Sequence, residues 1–159
     1  MYDIQNNKYV LWKDTLEKQK IPATATFSSI VIDTQVTACL GRLLPMLLNG
    51  GAPTLVIGPT GTGKSVFIDF LITNFKKEFD IAVLSRGYGR KTKGVLVADQ
   101  ISSSATIGDE PFQFFSKHKD VQIVVAKRRL TGIKRLAQMN PKLELLLLDD
   151  VMQHHYVSP

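Results

Sequence analysis

One cysteine, one tryptophan and no long apolar run narrow the reading before any motif is considered. Cys39 stands alone, so no internal disulfide can form, and a reducing cytoplasm is the expected setting. No stretch reaches the roughly 20 apolar residues that a membrane-spanning helix needs. The nearest candidate, ACLGRLLPMLLNGG at 38–51, is interrupted by Arg42 and Pro45. The opening MYDIQNNKYVLWKD lacks the basic-then-apolar layout of a secretory leader. Repeats and low-complexity tracts are absent. So is any interleaving of aromatic and basic residues, and nucleic acid is therefore not an expected partner.

What is present suits a globular domain with a sizeable core: 159 residues, 44% hydrophobic and 21% charged. The net charge of +6 is uneven, because residues 75–159 carry 14 Lys/Arg against nine Asp/Glu. A basic half suits a nucleotide, a phosphorylated substrate or an anionic membrane surface, and equally a solvated face.

Residues 1–30 carry no clear period. FSSIVIDT (27–34) reads as a strand, and QVTACLGRLLPMLLNGG as a helix weakened at Pro45 and closed by Gly50 and Gly51. PTLVIG (53–58) is a short apolar run bounded by Pro and Gly, the pattern of a buried strand. A helix is predicted from about Gly63 to Lys77, with Val66, Phe67, Phe70 and Leu71 on its apolar face. Strands follow at 79–85, 94–99, 121–126 and 143–150, with helices at 111–118 and 127–139. Alternation of this kind predicts a P-loop NTPase-like α/β fold, a doubly wound and mainly parallel sheet with flanking helices. Two domains are expected: an extension over 1–52 and a nucleotide-binding domain over 53–159.

Gly58-Pro59-Thr60-Gly61-Thr62-Gly63-Lys64-Ser65 fits G-x-x-x-x-G-K-[ST] in full, with a strand predicted before it and a helix after it. The glycines let backbone N–H groups curl around phosphate oxygens, and the helix start adds its positive dipole end. Lys64 supplies a point charge to the terminal phosphates, and Ser65 offers a hydroxyl to Mg²⁺. Such a loop needs an acidic partner at a strand end, which LLLLDD provides in Asp149 and Asp150; which of the two faces the metal stays open. ATP and Mg²⁺ are the expected cofactors.

Two resemblances follow. Residues 9–74, from YVLWKDTLEKQKIPATATFSSIVIDTQ through TLVIGPTGTGKSVFIDFLITN, are similar to the entry of a dynein heavy-chain AAA+ module. In residues 75–159, AVLSRGYGRKTKG, IGDEPFQFF and LLLLDDVMQHHYV resemble, in order and spacing, the bacterial tetraacyldisaccharide 4'-kinase family. That family transfers phosphate from ATP to a lipid A precursor disaccharide. The two resemblances meet near Asn74–Lys76, which implies a chain joined from two sources.

The kinase resemblance implies roles. Asp109 of GDEP corresponds to the catalytic base, with Glu110 beside it; from the residues alone, either could instead cap the helix opening at Pro111. Arg86, Tyr88 and Arg90 of SRGYGRK suit a substrate-binding loop at the carboxyl edge of the sheet, and equally a solvated glycine turn. Gln153 and His154 match the DDxxQH wording, and imply contacts to nucleotide and substrate. His154–His155 has no further metal ligand nearby and is not read as a metal pair. Lys127, Arg128 and Arg129 open a helix against its dipole, and are expected to face solvent.

Met152, Lys127 and His155 depart from the family's usual residues. The family's membrane-associating helix and second lobe have no counterpart in these 159 residues, so binding of nucleotide is expected to survive better than transfer. The readings carried forward are a kinase or its nucleotide-binding half, acting on a glycolipid in the cytoplasm or at the inner face of a membrane; an AAA+ module fragment; and a non-catalytic nucleotide-binding domain.

Overall fold

The computed structural model describes residues 2, 3, 6–11, 14, 34–55 and 64–149. These fall into two compact units, Met1–Pro59 and Thr60–Pro159.

In the first unit, β1 (Tyr2–Asp3) and β2 (Lys8–Tyr9) form a small antiparallel hairpin in the stretch whose sequence shows no period. Helix α1 (Gln35–Asn49) continues past Pro45. Its start is fixed by a reciprocal pair: the Thr37 amide donates to Thr34 Oγ1 (3.3 Å) and the Thr34 amide to Thr37 Oγ1 (2.7 Å). Thr34 thus caps a helix. The rest of the strand predicted at 27–34 lies outside the described residues. Of the strand predicted at 53–58, residues 53–55 are irregular and the remainder lies outside the description.

The second unit holds α2 (Lys64–Phe75), β3 (Ile81–Ser85), β4 (Val95–Val97), α3 (Ser104–Ile107), α4 (Asp109–Lys117), β5 (Gln122–Ala126), α5 (Arg129–Met139) and β6 (Leu145–Leu148). The sheet order is β4-β5-β3-β6. Strands β5, β3 and β6 are parallel, while β4 runs antiparallel on the edge beside β5. An α/β fold with a mainly parallel sheet is therefore observed.

The strands form where the sequence offers short runs of Val, Ile and Leu. Every residue of β3 is buried, as are the last four of β5, the signature of a parallel sheet covered on both faces. Ala82, Leu84, Val124 and Ala126 share one face and pack with Leu136 of α5. Each large aliphatic side chain buried in this way contributes about 1.5–3 kcal/mol. Gly132 lets α5 come down onto the sheet, for a Cβ there would lie 2.6 Å from Leu84 Cδ1. On α2 the buried stripe is Phe67, Leu71, Ile72 and Phe75. Val66, expected on the apolar face, is instead largely exposed.

Candidate active site at the carboxyl edge of the sheet

The three parallel strands deliver their C-terminal ends to one edge, where folds of this kind place their ligands. Asp149 follows β6 directly, and its amide donates to Leu84 O (3.1 Å), extending the β3–β6 ladder by one rung. Its carboxylate is buried, and Oδ2 accepts a hydrogen bond from the Ser85 hydroxyl (2.9 Å). The Gly87 amide in turn donates to Ser85 Oγ (3.3 Å). Ser85 therefore links the acidic strand end to the glycine loop that follows β3.

Arg129 corrects an expectation. Of the three cations predicted to face solvent, Lys127 and Arg128 do so, but Arg129 is 1% exposed. Its Nη1 donates to Leu84 O (3.3 Å) and its Nη2 to the carbonyl of Asp149. One guanidinium thus grips the penultimate carbonyl of β3 and the first beyond β6. Charge-assisted bonds of this type hold the cation in the interior. The signal lay in the spacing: Arg129, Gly132 and Leu136 recur at i, i+3 and i+7 on the buried face of α5.

The loop after β3 is pressed against the turn before α4. Gly108 caps α4 at φ 96°, a left-handed conformation that other residues adopt only with strain. A Cβ on Gly108 would meet Tyr88 O at 2.8 Å, and one on Gly87 (φ 68°) would meet Ile107 O at 2.7 Å. The Lys91 amide donates to Ala105 O (2.9 Å), and the Thr92 hydroxyl donates to Thr106 O. SRGYGRKT and SATIGDEP are thereby stitched together, once amide to carbonyl and once through the Thr92 hydroxyl. The short helix α3 in that stretch was missed by sequence reasoning; its signal is Thr106, whose Oγ1 accepts from the Ser103 amide (2.8 Å).

This stitching fixes Asp109 and Glu110. Neither caps α4, since that position belongs to Gly108; both are exposed in the first turn, where their charge complements the helix dipole. Tyr88 is 85% exposed beside them and Arg86 is half-buried. Arg90, expected in the substrate loop, is engaged by backbone carbonyls of the chain. Its Nη1 reaches Val125 O (3.4 Å) and its Nη2 Gly94 O (2.6 Å), so it braces the loop against β5. Burial lowers its pKa.

Ser65, in the first turn of α2, donates its hydroxyl to Glu110 Oε1 at 2.6 Å. The last residue of the phosphate motif and the acidic turn, 45 positions apart, thus meet directly. Residues 58–63, Asp150, Gln153 and His154 lie outside the described residues, and Lys64 is placed only as the first residue of α2. Among the described residues no cluster of three or more His, Cys, Asp or Glu forms a metal cage. The donors present still suit a hard cation: donating its hydrogen bond to Glu110 leaves the lone pairs of Ser65 Oγ for other partners, and Asp149 supplies a carboxylate.

A mainly parallel α/β sheet with a buried aspartate at a strand end, beside a phosphate-motif serine bonded to an acidic helix start, has the makings of a P-loop nucleotide-binding domain. Residues 51–159 match the family described as LpxK, tetraacyldisaccharide-1-P 4'-kinase, and the chain belongs to that family. It is 43% identical over 109 residues to the tetraacyldisaccharide 4'-kinase of Flavobacterium psychrophilum, covering 67% of this chain and 32% of that protein. The tetraacyldisaccharide 4'-kinase of Parabacteroides distasonis is 42% identical over 118 residues, 73% of this chain and 31% of that protein. A crystal structure described as an "apo" form of LpxK from Aquifex aeolicus in complex with ATP superposes with a TM-score of 0.53 at 25% identity. That likeness covers 75% of this chain and 42% of the other. The chain spans about a third of the length of the curated relatives it matches.

The family match begins at residue 51, takes in the phosphate motif and runs unbroken through 74–76. The junction expected there from the two resemblances is therefore not a boundary of the family. Among the described residues, no helix is long and apolar enough to cross a membrane.

Proposed function

We propose that this chain is the nucleotide-binding part of a tetraacyldisaccharide 4'-kinase, moving the terminal phosphoryl group of ATP to a sugar hydroxyl of a phosphorylated glycolipid. The observation that carries the reading is the Ser65–Glu110 hydrogen bond, because it joins the phosphate motif to the acidic turn that would receive the acceptor.

In this reading the amides between Gly58 and Gly63, other than that of Pro59, and the ammonium of Lys64 hold the phosphate chain, and Gln153 contacts the nucleotide. Ser65, Asp149 and Asp150 hold Mg²⁺, which when bound neutralises charge on the terminal phosphates. Glu110 accepts a hydrogen bond from Ser65 and so orients that hydroxyl. Arg129 and Ser85 keep the Asp149 carboxylate at the sheet edge. Asp109 accepts the proton of the attacking sugar hydroxyl as the new P–O bond forms and the bond to the ADP leaving group breaks. Arg86, Tyr88, Glu110 and His154 face the glycolipid; Arg90 supports their loop. The cytoplasm, or the inner face of a membrane, is the setting this reading implies.

Phosphate transfer from labelled ATP to the tetraacylated disaccharide phosphate tests the assignment. Wild type transfers label, and Asp109→Asn abolishes transfer while its ATP affinity stays within about twofold. Undiminished transfer by Asp109→Asn contradicts the base; ATP bound by wild type without any transfer leaves the chain a nucleotide-binding domain only.

A further inference from the structure

Helices α2 and α4 carry the phosphate motif and the acidic turn at their N-terminal ends, and two sets of side-chain links join them. The first is Ser65–Glu110, which is exposed. The second is centred on Asp69, a residue that no motif picks out. Asp69 Oδ1 accepts from His118 Nε2 (2.7 Å) and Oδ2 from Lys117 Nζ (2.9 Å), so both carboxylate oxygens are engaged. The His118 side chain is 8% exposed and that of Asp69 19%.

The placement of these residues follows from helix geometry. Ser65 and Asp69 are i and i+4, one turn apart on the same face of α2. Glu110 and Lys117 are i and i+7, two turns apart on one face of α4. Both helices therefore present their linking residues along one facing stripe. His118 ends α4, its amide donating to Phe114 O (2.8 Å) and its carbonyl accepting from the Val121 amide (3.2 Å) at the entry to β5. Through that ring, Asp69 ties the phosphate-motif helix to the sheet as well as to α4. A single exposed hydrogen bond between serine and a long glutamate cannot by itself hold two helices in register, since water competes for both partners and glutamate loses side-chain freedom in making it.

We propose that Asp69, clamped by His118 and Lys117, is a positioning residue: it holds α4 against α2 so that Glu110 meets Ser65 at the metal side of the nucleotide. This rests on the reading of the site given under Proposed function. Asp69 acts through Glu110 and touches neither nucleotide nor metal.

The test is calorimetric titration of the full 159-residue chain with ATP, in excess Mg²⁺ and in chelator. Asp69→Ala is expected to weaken Mg-ATP by about three- to tenfold and to leave metal-free ATP within about twofold. Glu110→Ala should behave alike, and the double variant no worse than Glu110→Ala alone. Losses that multiply in the double variant, or that are equal with and without Mg²⁺, would overturn the proposal, because a merely structural role produces those patterns. Should Asp69→Ala not fold, Lys117→Met removes one arm of the clamp and is read by the same criteria. If wild type binds no ATP at all, the reading of the site fails, and the clamp is judged by NMR instead. The Ser65 amide resonance should then move in Asp69→Ala or Lys117→Met; an unmoved resonance overturns it.

Discussion

The Ser65 hydroxyl lies 2.6 Å from Glu110 Oε1, and this contact closes a loop of 45 residues at the edge of the sheet. It ties the residue that ends the phosphate motif to the helix whose first turn carries the candidate base. Glu110 accepts and Ser65 donates, so the serine oxygen keeps its lone pairs. Ser65→Ala and Glu110→Ala are accordingly expected to lower Mg-ATP affinity by about three- to tenfold, with little change for ATP in chelator. Equal losses with and without Mg²⁺, measured by calorimetry, would place the pair away from the metal.

Arg129 bridges two carbonyls in the interior; its removal takes the guanidinium donor from Asp149 O and leaves Leu84 O with the Asp149 amide alone. Arg129→Met keeps most of the volume and loses the donors, so a cost of about 2–3 kcal/mol is expected. Thermal unfolding followed by circular dichroism should then show a drop of roughly 10 °C. An unchanged transition would mean that the guanidinium is dispensable to the strand ends. Lys127→Met and Arg128→Met, on exposed neighbours, should change stability by less than about 0.5 kcal/mol.

Gly108 combines a left-handed backbone with close approach to Tyr88. Gly108→Ala is expected to cost about 1–3 kcal/mol. It should also disturb the amides of residues 87–92 in a ¹H–¹⁵N spectrum, because the two loops are packed backbone to backbone. A spectrum altered only next to residue 108 would contradict that packing.

Acid stability reports on Asp69. Burial opposes its ionisation, but the hydrogen bonds and charges of Lys117 and His118 outweigh burial and hold the carboxyl below its ordinary value. A carboxyl depressed in the folded state contributes stability above its unfolded value of about 3.9 and loses it as pH falls through the folded value. Chemical denaturation between pH 5 and pH 2 should therefore show wild type losing stability more steeply below about pH 4 than Asp69→Asn. Parallel curves would show that the clamp contributes nothing in that window.

Much of this architecture was legible because buried parallel strands announce themselves. IAVLS, QIVVA and LLLL are runs with little interruption, and each forms a strand within a few residues of its expected limits. Helix ends were less legible, since they depend on caps: the helix expected to open at Pro111 opens two residues earlier because Gly108, not an acidic side chain, ends the preceding turn. The direction of β4 was hidden, for VLV pairs equally well with a neighbour running either way, and its loop alone decides. In the site, the motifs gave Ser65, Asp109, Glu110 and Asp149. They did not give Ser85, Arg129 or Asp69, whose roles arise from contacts between elements 20 to 64 residues apart in the chain. The run Lys127-Arg128-Arg129 shows why charge alone misleads. Three like cations stand together, and helical spacing to Gly132 and Leu136 is what sends only the third inward.

The central claim is that this edge of the sheet grips a nucleotide through the phosphate motif. Calorimetric titration of wild type and Lys64→Ala with Mg-ATP tests it most directly. Wild type is predicted to bind one equivalent, and Lys64→Ala to lose about tenfold or more in affinity as the ammonium leaves the phosphates. Equal binding by the two proteins, or none by a folded wild type, would contradict the account.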